Sequence, residues 1–233
     1  PIAVAVTEGL VELAAAKIGM DPLELRRRNL FPDDGYPAQT AAGLKLEALS
    51  HHEALAHLDT MMNYAGLRAE QADLRKKGIY RGIGFASFIE VTNPSAAFYG
   101  VGGAKITSQD GATVKLDAQG AIVVHTGVTE QGQGAESVIA QCVASSFGVS
   151  MDKVRVVTGD TDNTPYGGGT WASRAAGIGG EAAWQAGKAL RENVLAVAAA
   201  MLQSKPETLD IRSGIVVDKA SGTERLPLDE LAR

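Results

Sequence analysis

Two glycine-punctuated turns, each leading into a helical pattern, constrain this chain more than any other feature. The first is Gln131-Gly132-Gln133-Gly134 and the second is Tyr166-Gly167-Gly168-Gly169-Thr170. Glycine takes positive φ at little cost, so such turns redirect the chain sharply and let another backbone or a ligand come close. A helix starting there presents unpaired amides and the positive end of its dipole, and two such starts side by side can make an anion site. The same glycines serve close helix packing equally well, and on the residues alone the two readings stand even.

The elements around these turns follow from spacing. Ile139, Val143 and Phe147 form one helical row after Gly134 and Val138 and Cys142 another, with Gly148 as the stop. Val154 to Val157 reads as a short buried strand. A long helix is expected from Ala175 or Gly179 to Met201, with Trp184, Leu190, Val194, Val197 and Met201 along its apolar side. Thr113 to Leu116 and Ile122 to His125 alternate about a three-residue turn ending in Gly120, which predicts a hairpin. Strands are also expected over Ile79 to Val91, with glycines where another backbone approaches, over Gly102 to Ser108, and over Leu209 to Val217. A helix start is expected at Leu228. Upstream, Ile2 to Ile18 is helical in period, Asp21-Pro22-Leu23-Glu24 and Ser50-His51-His52-Glu53 read as capping boxes, Gly66 is the expected stop of the second helix, and Leu67 to Lys77 the next. The sum is an α+β fold, mixed β-sheets with segregated helices, divided into a helical connecting segment (1–78) and an α/β segment (79–233).

Charge and composition narrow the chemistry. A net charge of −5 over 233 residues gives no general affinity for nucleic acid or anionic membranes. There is no signal peptide and no apolar run of spanning length, so a cytoplasmic location is expected. One cysteine excludes an intramolecular disulfide and a cysteine-held iron–sulfur cluster, and Cys142 reads as a small core residue. Arg26-Arg27-Arg28 reads as an ion-paired helix face before a phosphate site. His51, His52 and His57 lack the spacing of a zinc site. The first turn is neither a dinucleotide fingerprint, since Ser137 stands where the third glycine belongs, nor a P-loop, since no Gly-Lys-Ser or Gly-Lys-Thr follows.

Read together, the motifs resemble one family. Thr129 to Gly134 with Glu136 and Gln141, then Val154 to Val157, Gly159-Asp160-Thr161-Asp162, Pro165-Tyr166-Gly167 and Gly169 to Arg174, closely resemble the large molybdopterin-binding subunit of the molybdenum hydroxylases. That family comprises xanthine dehydrogenase, aldehyde oxidase and aerobic carbon monoxide dehydrogenase. Gly19 to Asn29 and Tyr80 to Gly84 agree with it, so the resemblance covers nearly the whole chain, and it implies that family's molybdopterin-binding domain fold.

The resemblance also implies roles. Gln133 would hydrogen-bond the molybdenum centre or the pterin, and Gly134 and Ala135 would offer backbone N–H groups. Thr170, Ala172, Ser173, Arg174 and Ala175 would line the pterin and its phosphates, with Ser173 the best-matched polar side chain and Ala172 and Arg174 contributing backbone contacts. Thr170, Ser173 and Arg174 also offer hydroxyls and one positive charge to oxyanions. Ala175 and Ala176 stand where hydroxyl residues are common in the family. The cofactor implied is molybdopterin with molybdenum, in the cytosine dinucleotide form. The partners implied are an iron–sulfur subunit or domain, an FAD subunit or domain, and the remainder of the molybdopterin subunit. The catalytic glutamate is expected beyond Arg233, and Glu181, in the helix after the second turn, is not assigned that role. The activity implied for the intact enzyme is oxidation of an aldehyde or N-heterocycle with water-derived oxygen, and the isolated chain is expected to be inactive. The alternative is a non-catalytic fragment that keeps fold and subunit surfaces without retaining cofactor.

Overall fold

The computed structural model describes residues 2–41, 43–101, 103 and 108–233, in two compact units, Pro1–Ile89 and Glu90–Arg233. The first contains α1 (Ile2–Ile18), α2 (Pro22–Asn29), a two-residue ladder of β1 (Ala38–Gln39) and β2 (Lys45–Leu46), then α3 (His51–Met62) and α4 (Tyr64–Lys76). Asp21 caps α2, its Oδ1 accepting the N–H groups of Leu23 at 2.9 Å and Glu24 at 3.2 Å. Its Oδ2 accepts the Tyr64 hydroxyl at 2.8 Å. Burial, reinforced by that carboxylate, pushes the Tyr64 hydroxyl up to about 12. Asp21→Ala is expected to cost about 1–2 kcal/mol, chiefly the lost cap; an unchanged denaturation midpoint would show the cap to be dispensable.

Several expectations in this unit are corrected. Glu24 does not complete a capping box but pairs with Arg27 and Arg28 at 3.0 and 2.6 Å. Ser50 makes no side-chain cap, and α3 ends at Asn63 instead of Gly66. Asn63 takes the left-handed conformation (φ 48°), which asparagine tolerates, and Gly66 lies inside α4. Ile79 to Val91 forms no strand, and a Cβ on Gly82 or Gly84 would meet nothing within 4 Å. Side chains hold this stretch: Phe85 sits with Leu23, Leu55 and Tyr64 in the unit's core, its ring centroid 5.1 Å from that of Tyr64, the Ser87 N–H donates to Glu8 and the Arg81 carbonyl accepts from Gln71. The triple arginine is an ion-paired face. Arg26, 4% exposed, binds Glu8 at 2.6 Å and Glu12 at 2.9 Å, and stacks on Phe85.

The second unit runs α5 (Ala96–Val101), β3 (Ala112–Leu116), β4 (Ile122–Thr126), α6 (Ala135–Phe147), β5 (Val154–Val157), α7 (Gly180–Met201), β6 (Leu209–Arg212), β7 (Ile215–Asp218), β8 (Glu224–Pro227) and α8 (Leu228–Leu231). The expected hairpin is present: β3 and β4 pair antiparallel from Ala112↔Thr126 to Leu116↔Ile122, and Asp117 Oδ1 accepts the Gln119 and Ala121 N–H groups in the turn. Strand β5 joins β4 in parallel through α6. The stretch expected as one strand from Leu209 is a hairpin, broken at Ser213 (φ 50°) and Gly214 (φ 82°), which supply the left-handed pair that a tight two-residue turn needs. The strand expected from Gly102 to Ser108 lies outside the described residues, apart from Gly103 and Ser108.

Helix α7 buries part of the expected face together with its small residues. Val194 is buried and Leu190 packs against the core as expected, Gly180, Ala183, Gly187 and Ala198 also face inward, and Trp184, Val197 and Met201 are 38%, 50% and 54% exposed. The reason is how closely α7 lies against α6. A Cβ on Gly187 would collide with Ser146 Oγ, and one on Gly180 would stand 3.3 Å from Cys142 Sγ. Small residues therefore define the contact and larger ones cannot enter it. Ile122, Val124, Ile139, Val143, Phe147, Leu209, Ile211 and Val216 complete the core. Burial holds the Cys142 thiol above its ordinary value, as befits a packing residue and not a nucleophile. Helices standing around several small sheets make this an α+β fold.

Candidate functional site

Parallel pairing decides where the two turns lie. The first follows β4 and the second follows β5, so both leave the sheet at the carboxyl ends of neighbouring strands. That end of a parallel pair is where ligands of α/β units bind.

Thr170 stitches the turns together. Its hydroxyl donates to the Thr129 carbonyl at 2.7 Å and accepts the Thr129 N–H at 2.9 Å. Gln131 Nε2 donates to the Thr170 carbonyl at 2.9 Å. These bonds hold the turn carrying Gln133, Gly134 and Ala135 beside the turn that runs from Thr170 to Ala175. Gly132 (φ 93°), Gly134 (φ 81°) and Gly169 (φ 78°) take the positive φ their positions require, and a Cβ at any of the three would meet nothing within 4 Å. The turns are open on that side. Ala172 (φ 46°) and Ser173 (φ 55°) are consecutive left-handed residues with side chains, a strain of about 1–3 kcal/mol each that clusters at functional sites. Directly after them, Ala175–Gly179 forms a single wide π-helical turn, another feature frequent at such sites.

The hydrogen bonds of the first turn run inward. Glu130 Oε1 accepts the N–H groups of Gln131, Gly132 and Gly134 at 3.0, 2.8 and 3.0 Å, and its Oε2 accepts that of Glu136 at 3.2 Å. These amides, that of Glu136 first, hold the Glu130 carboxyl below the usual carboxylate range. The amide nest expected to receive an external anion thus holds a carboxylate of the chain itself, and the Gly134 N–H is committed to it. Gln133 Oε1 accepts the Gln131 N–H at 2.6 Å, and its Nε2 donates to the Thr129 carbonyl at 3.2 Å. Gln133 is otherwise exposed.

The second turn corrects one expectation outright. The Arg174 guanidinium is not offered to an oxyanion ligand; the side chain is 0% exposed. Nη1 pairs with Asp110 Oδ2 at 2.7 Å and donates to the Gly169 carbonyl at 2.6 Å, while Nη2 donates to the Gln109 carbonyl at 2.9 Å. The group also lies 5.5 Å from the centroid of the Trp171 ring, whose Nε1 donates to the Gly168 carbonyl. Arg174 is the staple that shapes the turn from within. Ser173 Oγ donates to Glu90 at 3.0 Å.

The residues that sequence reasoning missed are Glu130, Asp110 and Glu90. Glu130 carried a signal, an acid immediately before a glycine turn that opens a helix. Asp110 carried none, since its partner lies far along the chain. The acidic run after β5 folds on itself, Asp160 accepting the Asp162 N–H and the Asn163 amide. No cluster of three metal-ligating side chains occurs among the described residues, nor any helix long and apolar enough to cross a membrane.

Comparison with known proteins gives the arrangement its family. Residues 57–233 match the model of the molybdopterin cofactor-binding domain. The nicotine 6-hydroxylase large subunit of Paenarthrobacter nicotinovorans is 32% identical over 225 residues, covering 97% of this chain and 27% of the relative. The carbon monoxide dehydrogenase large chain of Hydrogenophaga pseudoflava is 30% identical over 215 residues, covering 89% and 26%. Among solved structures, quinoline 2-oxidoreductase from Pseudomonas putida 86 superposes with a TM-score of 0.75 at 32% identity, over 97% of this chain and 29% of that one. The chain therefore spans only about a quarter to a third of the length of these relatives. It belongs to the molybdopterin cofactor-binding domain family, that of the large subunits of molybdenum hydroxylases.

Proposed function

We propose that this chain is the part of a molybdenum hydroxylase large subunit that grips molybdopterin through the two stitched turns. The observation that carries this is the pairing of Thr170 with Thr129 and of Gln131 with Thr170, which joins both turns into one surface at the carboxyl ends of β4 and β5. The residues present fit the group. Open glycines at 132, 134 and 169 leave room for a flat ring to approach backbone, and Gln133 has one acceptor and two donors for its polar edge. Gln133, Gly134 and Ala135 would hold the metal end, and Thr170, Ala172, Ser173 and Ala175 the pterin and phosphates, with Arg174, buried and bonded through both side chain and backbone, shaping the turn that presents them. When bound, the cofactor supplies the two-electron oxidation of a substrate carbon. The chain's share is to orient it and tune it by hydrogen bonds.

The form proposed is the cytosine dinucleotide. The intact assembly, with iron–sulfur and FAD partners in the cytoplasm, would hydroxylate an aldehyde or an N-heterocycle, drawing its catalytic glutamate from outside residues 1–233. The competing reading, a structural segment that keeps no cofactor, has one observation behind it: the Gly134 amide and Ser173 hydroxyl already have internal carboxylate partners.

Gln133→Ala decides between them when made in the assembled holoenzyme. The residue is exposed on a turn, so the unfolding free energy is expected to stay within about 0.5 kcal/mol of the parent. Cofactor binding is expected to weaken by about 1–3 kcal/mol, the cost of leaving a buried partner unsatisfied, read as molybdenum and pterin retained per subunit. Unchanged metal and pterin would show the turn to be structural.

A further inference from the structure

We propose that Glu130 is a positioning residue for Gln133, a role that rests on the reading of the first turn as a cofactor contact. The Gln131 N–H stands between two acceptors, Glu130 Oε1 at 3.0 Å and Gln133 Oε1 at 2.6 Å. The carbonyl of Thr129 likewise stands between two donors, Gln133 Nε2 at 3.2 Å and Thr170 Oγ1 at 2.7 Å. Both internal bonds of Gln133 are therefore duplicated. When its side chain leaves to serve a ligand, Glu130 keeps the amide satisfied and Thr170 keeps the carbonyl satisfied, so nothing is orphaned and the full bonding capacity of Gln133 is released.

Without the Glu130 carboxylate this changes. The N–H groups of Gly132 and Gly134 lose the acceptor they share, the turn loses the group that gathers its amides, and Gln133 becomes the sole acceptor for Gln131. Its oxygen is then needed at home. Glu130 also fills the first turn of α6 with negative charge, so a ligand meets a neutral, hydrogen-bonding edge there and not an anion site. In this role Glu130 touches no ligand and acts through Gln133.

The test uses the full subunit with its partners, matured with cofactor, and reads molybdenum and pterin retained after dialysis, the Mo(V) electron paramagnetic resonance signal and the thermal midpoint. E130A is expected to lose cofactor about tenfold faster than the parent, the change that about 1.4 kcal/mol produces. E130Q keeps an oxygen for the three Oε1 contacts and is expected to stay within about threefold of the parent, given the modest net worth of the one lost bond. The double variant E130A/Q133A is expected to match Q133A, because a residue acting through Gln133 has nothing left to act on. Parental retention in E130A, with Q133A impaired, would overturn the proposal while leaving the cofactor reading intact. So would additive losses in the double variant, the mark of a merely structural glutamate. If E130A does not assemble, E130Q carries the test: loss beyond about threefold with an unshifted Mo(V) signal counts against the role, and near-parental retention counts for it. Parental retention and spectra in Q133A itself would overturn both the proposal and the reading beneath it.

Discussion

Arg174→Ala is expected to be among the most damaging single changes in the second unit, lowering unfolding free energy by about 3–5 kcal/mol. The guanidinium and the Asp110 side chain are both fully buried, and among the described residues it is the Arg174 pair and the Gly168 N–H at 3.1 Å that offset the desolvation of the carboxylate. Burial already pushes the Asp110 carboxyl above the usual carboxylate range against the pull of Arg174. Removing the guanidinium leaves a buried charge unpaired and frees the carbonyls of Gly169 and Gln109. The sign of the pH effect follows. In the variant, the folded-state pKa of Asp110 lies above its unfolded value, so protonation favours the folded form. The deficit should shrink as pH falls and be largest at neutral pH. R174M/D110N, which removes both charges and keeps an acceptor for the Gly168 amide, should recover part of the loss. Denaturant titrations of the three proteins at pH 5 and pH 7.5 check this. An R174A deficit under 1 kcal/mol at neutral pH would show that the pair is hydrated or readily replaced.

Gly148→Ala is the second large effect, expected at about 2–5 kcal/mol from left-handed backbone strain plus overpacking. Gly148 ends α6 with φ 103°, and a Cβ there would fall against the carbonyl oxygen of Ile211 in β6, an atom that cannot swing aside. Gly159→Ala is the control. It carries a comparable φ of 75° with nothing within 4 Å of the added carbon, so only the strain of about 1–2 kcal/mol applies. Equal losses in the two variants would remove the case for the collision.

Much of this could be seen in the residues because local chemistry and tertiary structure agree there. The hairpin about Gly120, helix α6 between Gly134 and Gly148, and strand β5 all carry punctuation that their surroundings also require. The stitched turns were found as a pair for the same reason. Where the reading failed, a distant partner had decided the outcome. Ile79 to Val91, with its glycines, reads as a strand that another backbone approaches, yet pairing needs that second backbone, and Phe85 packs on helices instead. Spacing places Leu190 and Val194 of α7 in the core, yet contact with α6 selects glycines and alanines in place of Trp184, Val197 and Met201. Arg174 reads as a positive charge offered to oxyanions, since nothing nearby shows that Asp110 will bury it. At Asn63 and Ser213 the signal was present but weak, since asparagine and serine enter the left-handed region less often than glycine does.

The wide turn at Ala175–Gly179 has a consequence for how insertions and deletions are tolerated here. Each residue of an ordinary helix advances it by about 100°. The wide turn uses one residue more than an α turn on the same rotation, so it absorbs that residue without changing the phase between the strained pair Ala172-Ser173 and the glycine face of α7. Deleting one residue from this turn would let a plain helix run through and keep the aim of the second turn, whereas the same deletion within α7 would rotate everything upstream by about 100°.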